Sequence, residues 1–163
     1  MEHKRIISLL CAGLIAISCV SSLWFYDYFV TDRITEDPIA WIFYFFQLSI
    51  LVGQLRMGIY AINALLRKKK EVVSSLSYFA AHVFLQNITP LLQTWAVSSK
   101  PEYPVWLLVS QIIFSLVLFL FLLVSQGSSL FKNSEYIPRL LIVPFYINCV
   151  YTALTVIGLI IFL

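Results

Sequence analysis

Charge is the first thing this sequence lacks. Asp, Glu, Lys and Arg make up 12% of its 163 residues, against roughly 25% in a soluble domain. So few charges do not cover a globular surface in water, and the surface is therefore expected to face lipid. Acidic residues are missing altogether from the long apolar stretches, which removes the usual intramembrane acid or base. Cysteine is sparse and unpaired: Cys11, Cys19 and Cys149 each fall inside an apolar run, with no Cys-x-x-Cys motif. That excludes a disulfide framework and a zinc site. No Gly-rich phosphate loop, nucleophile elbow or cluster of His and carboxylates occurs, so neither catalytic residues, a metal nor a cofactor is expected. A nucleic-acid partner needs a basic face backed by polar surface, and none is present.

What the chain has instead is hydrophobicity. Apolar residues reach 61%, with a mean hydropathy of +0.91. Five apolar stretches approach or exceed the roughly 20 residues needed to cross a hydrocarbon core. They run from about 6 to 26, 39 to 66, 72 to 97, 105 to 125 and 140 to 163. In lipid each backbone amide must find its partner within the segment, so these stretches are expected to be helices. They are too long and lack the alternation of outer-membrane barrel strands. The expected fold is one all-α domain, a polytopic bundle of five transmembrane helices.

Charge sorts by side. His3, Lys4 and Arg5 precede the first stretch, Arg67, Lys68, Lys69 and Lys70 follow the second, and Lys132 and Arg139 follow the fourth. The remaining connections hold only Arg33 and Lys100 as cations, beside Asp27, Asp32, Glu36, Asp37 and Glu102. The positive-inside rule then predicts an N-in, C-out topology, in a bacterial inner (cytoplasmic) membrane. Trp24, Tyr26, Tyr28, Trp41, Trp95, Tyr103 and Trp106 gather near the other set of ends, as an interfacial belt does. Lys4-Arg5 before an apolar run resembles a signal peptide. That run is too long for a signal core and ends in Leu-Trp-Phe-Tyr, so an uncleaved helix is expected.

The polar residues inside these stretches carry the functional signal. Arg56 lies ten residues before Leu66, about 15 Å deep at 1.5 Å per residue. Burying an arginine there costs on the order of 3 kcal/mol or more, so it is expected to face the bundle. Gln47 and Gln54 share one face of the same helix, and Arg56 and Asn63 another. On the third stretch Ser75, Tyr78, His82, Gln86, Thr89 and Gln93 recur every three or four residues and form one polar stripe, opposite Phe79, Val83 and Leu91. Pro90 is expected to kink this helix. Gln111, Ser115, Tyr146, Asn148, Tyr151, Thr152 and Thr155 are the candidate partners of the stripe.

Two functions fit. In one, the stripe lines a pathway for a small polar or anionic solute, with Arg56, His82, Gln86, Gln93, Gln54 and Asn63 as its residues. The protein is then a small transporter or channel-like oligomer. In the other, the stripe is interhelical glue, each pair contributing about 0.6–2 kcal/mol, and the protein is a non-catalytic accessory, assembly or immunity-type partner of another membrane protein. Ser8, Ala12 and Ala16 add a small-x-x-x-small spacing that lets a helix approach closely. Asn87-Ile88-Thr89 matches a glycosylation sequon, but its place within a span and before Pro90 argues against use.

Gly53-Gln54, the Arg67–Lys70 run, Ser74-Ser75-Leu76-Ser77 and Pro104-Val105-Trp106 together resemble the three-helix repeat of PQ-loop and SWEET-type transporters, including lipid-A-disaccharide-synthase N-terminal-like proteins. The resemblance covers about 53–111 and lacks the family's Pro-Gln pair. It implies solute translocation through a bundle completed by a second copy.

Overall fold

The computed structural model describes residues 6–18, 20, 38–97 and 105–162, and the side chains of these apart from 38–44, 46–47, 93–97 and 162. Five helices make up the fold: α1 (Ile6–Ser18), α2 (Pro38–Leu66), α3 (Val72–Val97), α4 (Val105–Gln126) and α5 (Arg139–Phe162). Two 3-10 turns, Gly127–Ser129 and Ser134–Tyr136, join the last two helices. No strand occurs among the described residues.

Among the described residues, three segments are long and apolar enough to cross a membrane: Leu48–Leu66, Val105–Ser129 and Arg139–Ile161. Their apolar side chains point outward in numbers that water would not tolerate. On α5 alone Leu140, Val143, Val150, Leu154, Ile157 and Ile161 are exposed. α1 is shorter over its described length. Its inward face is Cys11, Leu14 and Ser18, at i, i+3 and i+7, all buried. Of the small-residue stripe, Ser8 is half-buried and Ala12 and Ala16 are exposed.

α3 is the central helix and packs against α2, α4 and α5. Every residue from Ser74 to Ala80 is buried. The apolar face of Phe79 and Val83 is as fully enclosed as the polar stripe opposite it. This explains a composition too polar for a lipid-facing helix: α3 meets protein on all sides, where polar groups find partners. The apolar core gathers Cys11, Leu14, Met57, Leu76, Phe79, Val83, Leu118 and Leu122 from four helices. Tyr78 closes it at one end with edge-on ring contacts, 5.0 Å to Phe131 and 5.2 Å to Phe145 between centroids.

The α2–α3 turn is set by backbone bonding. The Lys69 amide donates to the Ala64 carbonyl (3.0 Å) and the Lys68 amide to the Leu65 carbonyl (3.3 Å). Lys68 takes φ = 52°. This is a Schellman cap with lysine at the left-handed position that glycine usually holds. Glu71 then starts α3, where its carbonyl accepts from the Ser75 amide (2.9 Å).

The segments 21–37 and 98–104 lie outside the described residues, and with them Asp27, Asp32, Arg33, Lys100 and Tyr103. Of the expected aromatic belt, only Trp106 has a described side chain, and it is exposed at the start of α4.

Candidate functional site

The residues singled out from the sequence divide between two places, one inside the bundle and one on its outer face. Inside, four helices meet at a knot of short polar side chains. The Ser18 hydroxyl of α1 lies 2.6 Å from the Leu14 carbonyl and 3.1 Å from Gln111 Oε1 of α4. It accepts from Gln54 Nε2 of α2. Asn87 Nδ2 of α3 lies 3.4 Å from the same Gln111 oxygen and donates to its own helix at Val83 (2.7 Å). All four side chains are buried. A buried amide without a partner costs about 1–3 kcal/mol, and mutual bonding across helices offsets that cost here. Among the described residues, Gln54 Oε1 and Gln86 Oε1 are buried acceptors with no donor.

A second set of bonds ties α3 to α2 and α5. His82 Nε2 lies 3.2 Å from the Ile50 carbonyl, and Asn148 Nδ2 donates to the His82 carbonyl at 3.2 Å. About two turns further along α3, the hydroxyls of Thr89 and Thr152 lie 2.9 Å apart. Of the partners named from the sequence, Thr152 meets a side chain of the stripe, Thr89, while Asn148 meets the His82 backbone and Gln111 meets Asn87, which lies beside the stripe. His82 and Gln54 are each 1% exposed, while Gln86 is half-buried. The side chain of Gln93 lies outside the described residues.

Arg56 goes elsewhere. Facing the bundle is its expected orientation, yet the side chain is exposed on the outer side of α2. There it lines a groove of about 290 Å³ with Ile59, Tyr60 and Asn63 of α2 and Leu141 of α5. Helical phase is the reason. Gln54 and Arg56 are two residues apart, about 200° around a helix with 3.6 residues per turn, so with Gln54 inside Arg56 must point out. Asn63, seven residues on, returns to the Arg56 side and lines the same groove. Arg56 and Asn63 thus lie on the outer face of α2, while Gln54, His82 and Gln86 lie within the bundle.

Near one end of the bundle a further cluster forms that the sequence reading did not single out. Glu71, 7% exposed, accepts from the Tyr60 hydroxyl at 2.7 Å and pairs with Lys69 Nζ at 3.7 Å. Lys69 also lies 5.0 Å from the centre of the Tyr60 ring. Burial raises the carboxyl's pKa, but the Tyr60 hydroxyl, its backbone amide and the Lys69 charge together outweigh it and hold Glu71 below its ordinary value. Asn133 fastens the α4–α5 connection to this end, donating from Nδ2 to the Lys70 carbonyl (2.9 Å) and from its amide to Ser74 Oγ (3.3 Å). The only available signal in the sequence is Glu71 itself, a lone acid directly after four cations.

Among the described residues no group of three or more His, Cys, Asp or Glu gathers to hold a metal. In comparisons with family models, curated proteins and solved structures, nothing matches this chain.

Proposed function

We propose that the chain is a five-span, N-in and C-out protein of a bacterial inner membrane that acts as a non-catalytic accessory or assembly-type partner of another membrane protein. The observation that carries this reading is the use made of the α3 stripe. His82 and Thr89 of the stripe, with Asn87 beside it, bond to neighbouring helices or to their own at 2.7–3.4 Å. Groups so engaged hold a bundle shut. The sorting of Lys and Arg among the connections supports the topology, and the absence of carboxylates from the apolar stretches supports a non-catalytic role.

A transporter is the second reading, and one observation favours it. Gln54 Oε1 and Gln86 Oε1 are enclosed acceptors without a protein donor, the kind of group that water or a polar solute satisfies. The resemblance to PQ-loop and SWEET-type repeats points the same way, with a second copy of the chain completing the pathway.

Cysteine replacements at Gln86 and Thr89, in a chain whose own cysteines are changed to serine, separate the two. A membrane-impermeant maleimide leaves both unlabelled in the accessory protein. Labelling of both, with protection by a small anion or sugar, establishes the transporter instead.

A further inference from the structure

The outward face of α2 is mostly apolar along its described length, with Ser49, Arg56 and Asn63 as its polar groups. Phe45, Leu48, Val52, Ile59 and Leu66 are exposed and follow one another at helical spacing, with Arg56 in their midst. At about 15 Å from Leu66, Arg56 sits near the middle of a hydrocarbon core about 30 Å thick. A guanidinium at that depth demands an anion or water, and among the described residues it has neither ion pair nor hydrogen bond.

None of the five apolar stretches contains Asp or Glu, and Glu71, the carboxylate that Tyr60 of this groove reaches, lies in the α2–α3 turn and is already paired with Lys69. For the same reason a second copy packed on this face brings no counter-charge. The headgroups of a phospholipid lie about 15 Å away along the helix, further than the side chain reaches by snorkelling alone. The groove beside Arg56 is walled by Ile59, Leu141 and the Tyr60 ring, whose hydroxyl is taken up by Glu71, and carries Asn63 as a further polar group. It therefore suits an apolar helix that bears one acidic side chain at matching depth.

We infer that the α2 face around Arg56 is a docking site for a transmembrane helix of another protein that carries an Asp or Glu at mid-bilayer. The carboxylate pairs with the guanidinium through two parallel N–H···O bonds, the geometry in which arginine binds carboxylates best. The inference deepens the accessory-protein reading and rests on it for the identity of the occupant as protein.

The test uses the full chain reconstituted in phosphatidylcholine vesicles at pH 8, with a fluorescent Leu/Ala transmembrane peptide as probe. One version of the peptide carries Asp at its centre, a second Leu, a third Lys, and a fourth Asp two turns nearer one end. Energy transfer should show the central-Asp peptide associating about tenfold more tightly than the Leu peptide, with the Lys and displaced-Asp versions no better than Leu. Arg56→Gln should abolish the preference and Arg56→Lys should retain part of it. Equal association of the Asp and Leu peptides, or an Asp preference that survives Arg56→Gln, overturns the inference. So does displacement of the Asp peptide by phosphatidylglycerol in an Arg56-dependent way, which assigns the groove to an anionic lipid. Should Arg56→Gln fail to fold, the comparison of peptides on the unchanged protein still decides. Maleimide labelling at Gln86 together with a retained Asp preference defeats the accessory reading but leaves the groove assignment standing.

Discussion

Gly53 of α2 lies against the ring of Pro144 of α5 so closely that a methyl group on Gly53 would overlap the ring at Cβ and Cγ. The contact joins a residue without a side chain to one whose ring is rigid, and it lets the two helices come nearer than any side chain on Gly53 would allow. Gly58, five residues on, is crowded differently. A methyl there would lie 2.8 Å from Phe79 Cε2 and 3.0 Å from the end of the Ile15 side chain.

These two glycines should therefore respond unequally to alanine. Alanine gains about 1 kcal/mol over glycine in a helix interior, and overpacking costs typically about 1–3 kcal/mol. At Gly58 the crowding atoms belong to the side chains of Phe79 and Ile15 and the overlap is smaller, so Gly58→Ala should cost less than Gly53→Ala. Gly53→Ala forces apart two helices and should destabilise by about 1–3 kcal/mol. Because the overlap includes Cβ of Pro144, the loss should persist in a Pro144→Ala background. Unfolding in detergent, followed by circular dichroism, measures all three; a rescue by Pro144→Ala counts against this account.

Lys68 at φ = 52° is the next test. The left-handed conformation costs an L-residue roughly 1–2 kcal/mol that glycine avoids, and glycine returns part of that as greater freedom in the unfolded chain. Lys68→Gly should raise stability by about 0.5–1 kcal/mol. Lys68→Val, with a branched Cβ in the same conformation, should lower it. Equal stabilities for the Gly and Val variants would refute the Schellman cap.

The helical class of the protein is legible in the sequence because two constraints act together: apolar runs of this length and the need to pair every backbone amide. The end of α2 and the start of α3 are legible for a similar reason, since Arg67–Glu71 is a charged run between two apolar ones. Periodicity also finds the stripe of α3. What it leaves open is which neighbour each polar group meets, because that depends on how the helices are rotated. Ser18 looks like any small residue of an apolar helix until α1 places it between Gln54 and Gln111. Asn87 reads as half of a sequon and turns out to bond across to α4. Arg56 is the opposite case. Its cost in lipid makes it conspicuous, but the same cost suggests an inward orientation, whereas the phase of α2 gives that place to Gln54. Pro144 carries no polar signal at all, and its role appears only beside Gly53.

Acid should loosen the α2–α3 turn through Glu71. Its pKa in the folded protein lies below the ordinary value of 4.5, because the Tyr60 hydroxyl and Lys69 outweigh the effect of burial. A depressed carboxyl pKa means that the unfolded chain binds the proton more readily. The stabilisation is then complete above the unfolded value and is lost as pH falls through the folded one. Between about pH 6 and 3 the parent should lose stability more steeply than Glu71→Gln, and Tyr60→Phe should reduce the difference. Unfolding midpoints across that range report the slopes, and parallel curves for parent and Glu71→Gln would rule the contribution out.

The knot at Ser18 predicts a particular pattern of coupling. Gln54 and Gln111 bond through one hydroxyl, Gln54 as donor to it and Gln111 as acceptor from it. Interhelical polar pairs of this kind are worth about 0.6–2 kcal/mol, and residues that share a partner depart from additivity by a similar amount. With Ser18 present, Gln54→Leu and Gln111→Leu together should cost less than the sum of the two single changes, since either one already breaks the chain of bonds. In a Ser18→Ala background the link is gone, and the same two substitutions should become additive within about 0.5 kcal/mol. The comparison depends on a difference of differences, so a general loosening of the bundle by any one variant cancels. Coupling that survives the removal of the Ser18 hydroxyl would mean that the two glutamines communicate by packing, and that the hydroxyl is not what joins α2 to α4.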